Sequence, residues 1–340
     1  MKKTLIFSLF AMFLVFSSCS TRVDLYADYK DIPVVYGLLE SQKDTNYIRI
    51  NRAFSSNNEN PINAYDVALI ADSCNYPGKL NARIIELIQG YGYQYEPTGV
   101  EYALDTMTLH NKQEGLFYSP DQKVYFTTGK IKQNTSNNKY RYKIVIYKDN
   151  DTISSETGIV GGESFRITTQ RMGFDPDDDS NAHVNFVIAD NASFYELAFQ
   201  FFYDEIRDGV TTQKSIKYDF GTGTLETLYH DPSTTTIYSF SYSRRMLFSK
   251  LRETIGNDTV GVVRHVGKCV LTLAAGGDEM YNFIQVNNHG GGYSQTVPDY
   301  TNIKGGFGVF SSRLTIKRDD VTLDRPTLTK LYGRFGFVQD

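Results

Sequence analysis

Asp175, Asp177 and Asp179 put carboxylates at alternate positions of the run Asp175-Pro176-Asp177-Asp178-Asp179-Ser180-Asn181, the spacing at which a loop offers oxygen ligands to Ca²⁺. An EF-hand loop needs Gly at its sixth position and Glu at its twelfth, and here these are Ser180 and Phe186. The run therefore reads first as a solvated inter-domain loop, with weak calcium binding as the alternative. The five histidines, His110, His183, His230, His265 and His289, have no pair at metal-ligand spacing, and the sequence holds no His-Glu-x-x-His and no Cys-x-x-Cys. No Gly-x-Ser-x-Gly elbow is present. No catalytic residue, metal or cofactor is assigned, although a triad drawn from distant positions stays open because triads are geometric rather than sequential.

Gly90-Tyr91-Gly92-Tyr93-Gln94-Tyr95 alternates tyrosines, which suits an exposed stacking surface for sugars or peptides and, better, a strand-and-turn packing face. His289-Gly290-Gly291-Gly292-Tyr293-Ser294 reads as a loop. In Lys304-Gly305-Gly306-Phe307-Gly308 the glycines suit a bulge or a close backbone approach in a strand. A dinucleotide cradle would need a helix to follow, and the residues that follow read as strand.

Cys19 carries the most specific chemistry. Lys2 and Lys3 precede an apolar stretch from Leu5 to Phe16, and Ser17 and Ser18 follow, as in a secretory signal. The apolar stretch is too short for a permanent span, which needs roughly 20 residues. Phe16-Ser17-Ser18-Cys19 resembles the lipobox of bacterial lipoproteins, whose cysteine is acylated and becomes the new N-terminus. Residues 1–18 are thus expected to be a signal peptide and 19–30 a tether, with acyl chains at roughly 0.8 kcal/mol per buried methylene holding the protein at a membrane. The chain carries 35 basic and 39 acidic residues, and loss of Lys2 and Lys3 makes it more acidic still. That balance argues against nucleic acid as a partner, since phosphate binding needs clustered positive charge. The remaining cysteines, Cys74 in a turn-like segment and Cys269 in an apolar strand-like one, are expected to be unpaired.

With 25 Tyr, 22 Phe and only 9 Pro, the full chain suits pleated sheets. Period-two runs recur at Ile48 and Ile50, at Phe165 and Ile167, at Ile216, Tyr218 and Phe220, and at Leu314 and Ile316. The longest sets Tyr195, Leu197, Phe199, Phe201 and Tyr203 on one face of a half-buried strand. Two stretches break this rhythm. Leu247, Leu251 and Ile255 recur every four residues and predict an amphipathic helix over 243–255; Asp278 stands as an N-cap before a second, short helix. The expected fold is mainly β: an N-terminal immunoglobulin-like β-sandwich over 31–112, a second β-sandwich-like region over 113–175, and a C-terminal β-rich domain with a few short helices over 176–340.

Ile32-Pro33-Val34-Val35-Tyr36-Gly37-Leu38-Leu39, with Tyr47-Ile48-Arg49-Ile50-Asn51-Arg52-Ala53-Phe54 after it, resembles the opening of a large set of Bacteroidota lipoproteins, the domain of unknown function 4249 type. Glu279-Met280-Tyr281-Asn282-Phe283-Ile284, followed by Thr301-Asn302-Ile303-Lys304-Gly305-Gly306-Phe307-Gly308-Val309-Phe310, resembles that set's closing signature. The two ends bracket nearly the whole mature chain, and the middle matches in hydrophobic pattern alone. The resemblance implies an outer-membrane lipoprotein with an immunoglobulin-like first domain, often encoded beside a TonB-dependent receptor, and it brings no catalytic residues. Asp105-Thr106-Met107, Asp151-Thr152-Ile153 and Asp258-Thr259-Val260 also fit the Asp-Ser/Thr-apolar pattern of Bacteroidota periplasmic O-glycosylation, making Thr106, Thr152 and Thr259 candidate acceptors. The expected role is a non-enzymatic accessory or binding lipoprotein working with an outer-membrane transporter. The alternatives are an envelope hydrolase with a composite active site and a surface adhesin or structural lipoprotein.

Overall fold

The computed structural model describes residues 31–53, 70, 74–110, 119, 121–256, 259–288, 300–332 and 334–339. The signal, the tether and Cys19, the turn at Asn57-Asn58 and the loop at His289 lie outside these residues.

Alternation of apolar and polar residues sets the first layers. The strands β1 (Pro33–Leu39), β2 (Asn46–Arg52), β3 (Asn81–Gln89), β4 (Tyr95–Ala103), β5 (Asp105–Leu109), β6 (Gln122–Thr127), β7 (Tyr140–Lys148) and β8 (Asp151–Gly158) fall in consecutive pairs that alternate between two sheets. One sheet runs β1-β2-β6-β5 and the other β4-β3-β7-β8. Val35, Leu39, Ile48 and Ile50 from the first interdigitate with Ala82, Ile84, Tyr142, Ile144 and Ile146 from the second in one apolar core. Each such side chain contributes about 1.5–3 kcal/mol by leaving water. The result is the expected immunoglobulin-like β-sandwich of facing antiparallel sheets.

A second sandwich-like region follows, with β9 (Arg166–Ile167), β10 (Arg171–Met172), β11 (Asn181–Val187), β12 (Phe194–Arg207), β13 (Val210–Thr224), β14 (Tyr229–His230) and β15 (Ile237–Ser243). The chain then passes through α1 (Arg244–Ile255), β16 (Val262–Gly276), α2 (Asp278–Asn288), β17 (Phe307–Leu323) and α3 (Arg325–Tyr332). The long strands β13-β12-β16-β17 form one layer, and the sheet β14-β15-β11-β9 faces it. Tyr195, Leu197, Phe199, Phe201 and Tyr203 are all buried, as the alternation of β12 predicts, against Phe174, Phe186, Phe240 and Phe248. Helix α1 has the expected stripe, with Leu247, Phe248, Leu251 and Ile255 buried and the Ser243 hydroxyl accepting from the Met246 N–H at 3.3 Å. Helix α2 begins at Asp278 itself, one residue earlier than an N-cap at that position implies.

Strand β17 joins the two halves. Its start pairs in parallel with β1, from Val34 opposite Phe307 to Leu39 opposite Ser312, and its end pairs antiparallel with β16. A single sheet therefore runs β13-β12-β16-β17-β1-β2-β6-β5 through both cores. The glycines of the 304–308 segment make the close approach their pattern predicts. Gly308 has φ +110°, and a Cβ there would stand 2.0 Å from the Val35 carbonyl oxygen.

Strand pairing crosses the divisions drawn from the sequence. Residue Asn46 of β2 pairs with Thr127 of β6 and Ile84 of β3 with Ile144 of β7, so residues 122–158 complete the first sandwich. The second sandwich-like region is built instead from residues 166–323. Period-two patterning identifies a strand without identifying the partner it takes, and the polar loops read as domain boundaries are connections within one core. Cys74 and Cys269 form no disulfide with each other, as expected.

Candidate functional site

The outer face of β1 and β2 forms one wall of a groove and α2 the other. Inward-pointing Val35, Leu39 and Ile48 leave Tyr36, Leu38 and Tyr47 on the outer face by the alternation of the strands. Met280, Phe283 and Ile284 of α2, spaced three and four residues apart, share one helical face. Together with Val309 they line a groove of about 630 Å³. Tyr36 and Tyr47 are 41% and 47% exposed, and no described side chain of α2 is fully buried, in contrast to the four of α1. The Tyr36 ring meets Phe283 edge-on at 5.9 Å, and Tyr47 lies 6.5 Å from Phe126.

Polar contacts behind α2 hold it in place. The Glu279 carboxylate accepts from the Thr157 and Ser311 hydroxyls, both at 3.0 Å, and the Met280 N–H donates to the Ser311 hydroxyl oxygen at 3.3 Å. The Asn302 side chain donates to the Phe310 carbonyl at 2.7 Å and accepts from its N–H at 2.9 Å, closing the backbone of β17 beside the groove. The chain's opening and closing motifs thus meet here: Tyr36 with Phe283, and Val35 with Gly308.

Charge is confined to one end. Arg313 Nε lies 2.5 Å from Glu40 Oε1, and the Glu40 N–H donates to the Asn46 side-chain oxygen at 2.7 Å, which ties the β1–β2 turn. Lys43, on the same turn, lines the groove with no partner for its ammonium among the described residues.

The residues singled out in the sequence are scattered. Asp175, Asp177 and Asp179 do not converge. Lys330 of α3 pairs with Asp177 and lies 3.6 Å from Asp175, and Arg245 of α1 pairs with Asp179 at 2.8 Å. Lys330 holds the Asp177 carboxyl below its ordinary range. No group of three or more His, Cys, Asp or Glu side chains that could hold a metal occurs among the described residues. Cations of α1 and α3 thus pair with the carboxylates of Asp179 and Asp177 in this loop. His110 pairs with Asp121 at 2.6 Å on the surface, while His183 Nδ1 lies 3.0 Å from Ser241 Oγ on the exposed face of β11 and β15. Thr152 and Thr259 are exposed and Thr106 is half-buried in β5.

The tyrosine run at 91–95 departs from the packing face favoured on pattern. Tyr91 and Tyr93 are 104% and 84% exposed, because Gly92 at φ +73° and Tyr93 at φ +63° wind the chain into a turn and end the alternation. Tyr95 alone is covered, with the Arg141 guanidinium 5.5 Å from its ring centre.

Sequence reasoning missed the buried carboxylates of Glu86 and Glu205. Glu86 is wholly buried, with Lys132 Nζ at 2.7 Å and the Thr98 and Tyr102 hydroxyls each at 3.0 Å. Burial opposes its charge, yet these three hydrogen bonds together hold its carboxyl below the usual range. Burial and the Glu86 carboxylate push the Tyr102 hydroxyl up to about 12. Glu205 similarly meets Arg264 at 2.8 Å and Lys214 at 2.7 Å. The available signal was parity: Glu86 shares the inward face of β3 with Ala82 and Ile84, and Glu205 that of β12 with Tyr203.

No family model matches the chain, and no curated protein matches it. Among solved structures it is similar to the chicken interferon gamma receptor alpha chain, at 7% identity and a TM-score of 0.16, over 72% of this chain and 88% of that one. A superposition this loose carries no argument about function.

Proposed function

We propose that this protein is a lipid-anchored cell-envelope lipoprotein, acylated at Cys19 and held at the outer membrane, which acts as a non-enzymatic binding component beside a TonB-dependent transporter. The observation that carries the binding role is the groove between α2 and the β1–β2 face, where aromatic and aliphatic side chains stand half-exposed on rigid elements. The lipobox-like Phe16-Ser17-Ser18-Cys19 and the resemblance of both chain ends to outer-membrane lipoproteins support the anchor and its address. Acylation would confine the groove to the membrane surface and raise its effective concentration for a partner there.

Purification of the native lipidated protein from mildly solubilised outer membranes tests this. A transporter is expected in near-equal amount with the wild type and at less than a tenth of that amount with Phe283→Lys, which puts a charge on the groove wall. Recovery of the wild-type lipoprotein alone would remove the accessory role.

A further inference from the structure

We infer that the groove between α2 and the β1–β2 face binds a single-chain anionic amphiphile, a fatty carboxylate, with its alkyl chain along the aromatic wall and its head group at Lys43 and Arg313. The inference rests on the binding role proposed for this groove and specifies its ligand. Three features select this chemistry.

The first is the lining. Tyr36, Tyr47, Met280, Phe283, Ile284 and Val309 offer a continuous apolar strip in a volume of about 630 Å³, within the roughly 300–1,000 Å³ typical of small-molecule sites. Met and aromatic rings adapt to a flexible chain without imposing directional demands.

The second is the state of the backbone. Strand β1 is paired on both sides, to β17 and to β2, and β2 is paired to β1 and β6. The walls therefore have few free N–H and C=O groups to offer, so an extended peptide would bury amides without partners, at a cost of about 1–3 kcal/mol each. An alkyl chain has no such groups to satisfy.

The third is charge. The lining includes one carboxylate, Glu40, and Arg313 already occupies it. Lys43 is left as an exposed cation, and Arg313 keeps guanidinium N–H groups beyond the one facing Glu40. The charged end is thus net positive and the rest of the groove uncharged. That polarity matches a ligand with an acid at one end and fits a neutral alcohol or a cationic amphiphile less well.

The full chain in lipid nanodiscs, photolabelled with a dodecanoic acid bearing a diazirine in its chain, tests the inference by peptide mass spectrometry. Adducts are expected on the peptides carrying Tyr36 to Tyr47 and Met280 to Ile284. Dodecanoate is expected to displace the label at a concentration at least threefold below that needed with 1-dodecanol, and Lys43→Met to bring that ratio below twofold, in keeping with an exposed charge pair. Phe283→Ala is expected to cut labelling at least fivefold with an unchanged circular dichroism spectrum. Labelling spread over the surface, or absent from both peptides, would overturn the inference, as would equal displacement by 1-dodecanol. Transporter recovery lost with Phe283→Lys while dodecanoate fails to label would reject the fatty acid and leave the binding role standing. Labelling as expected with no transporter recovered would do the reverse.

Discussion

Replacing Gly308 by Ala is expected to loosen the junction that ties the two ends of the chain together. Two costs follow from the structure. At φ +110° an L-residue sits outside its ordinary backbone regions, a strain of about 1–3 kcal/mol. The added Cβ would also meet the Val35 carbonyl oxygen at 2.0 Å, where ordinary contact begins near 3.4 Å, so β1 and β17 must part by more than 1 Å. That parting weakens the neighbouring ladder bonds between residues 34–39 and 307–312, each with a net value of about 0.5–1.5 kcal/mol. With two bonds lost, the total is about 2–6 kcal/mol. Gly209→Ala supplies the control, since Gly209 has φ +76° with nothing within 4 Å of the added Cβ, and a backbone cost alone of about 1–2 kcal/mol. Urea unfolding followed by far-ultraviolet circular dichroism suits a chain without Trp. A Gly308→Ala variant no less stable than Gly209→Ala would refute the close-approach argument. Val309 follows Gly308 and lines the groove, so labelling of the groove is expected to fall with stability in the first variant and to persist in the second.

Lys132→Met strips Glu86 of its cation and is expected to cost about 1–3 kcal/mol at pH 7, at the low end for a buried pair because Lys132 is half-exposed. A depressed native carboxyl stabilises above its unfolded value and loses that contribution as pH falls through the native value. The deficit of the variant in urea midpoint should therefore shrink as pH falls below the ordinary carboxyl value of 4.5, and a deficit that stays constant through that fall would contradict the pairing. Burial pushes the Cys269 thiol up to about 12, so in the native protein Cys269 should resist a thiol reagent at pH 8 and react once urea unfolds the chain; rapid native reaction would falsify its burial. Calcium or a chelator at millimolar concentration is expected to leave the urea midpoint unchanged, and a calcium-dependent rise would restore a site at Asp175, Asp177 and Asp179. Tryptic peptides of the native protein spanning Thr152 and Thr259, both exposed, are expected to carry glycan mass, with the unmodified peptides at those sites and at Thr106 counting against acceptor function.

Much of the local structure was legible in the chain because it follows from short-range periodicity. The buried face of β12, the stripe of α1 and the glycine approach at Gly308 all stand where period, branching and the absence of a Cβ put them. The tyrosine run failed for a local reason too, since Gly92 and Tyr93 both take positive φ and turn the chain before the alternation can continue.

The sequence by itself determined that this would be a mainly β protein with a few short helices, which faces its strands would bury, and where its backbone would need glycine. Only the tertiary structure decided that residues 122–158 belong to the first sandwich, that β17 pairs with β1 across the length of the chain, and that α2 stands over Tyr36 and Tyr47. The physical reason is that periodicity is a property of neighbours along the chain. Strand pairing, the neutralisation of Asp177 by Lys330 and the burial of Glu86 beside Lys132 depend instead on contacts between residues far apart in sequence, which no local spacing encodes.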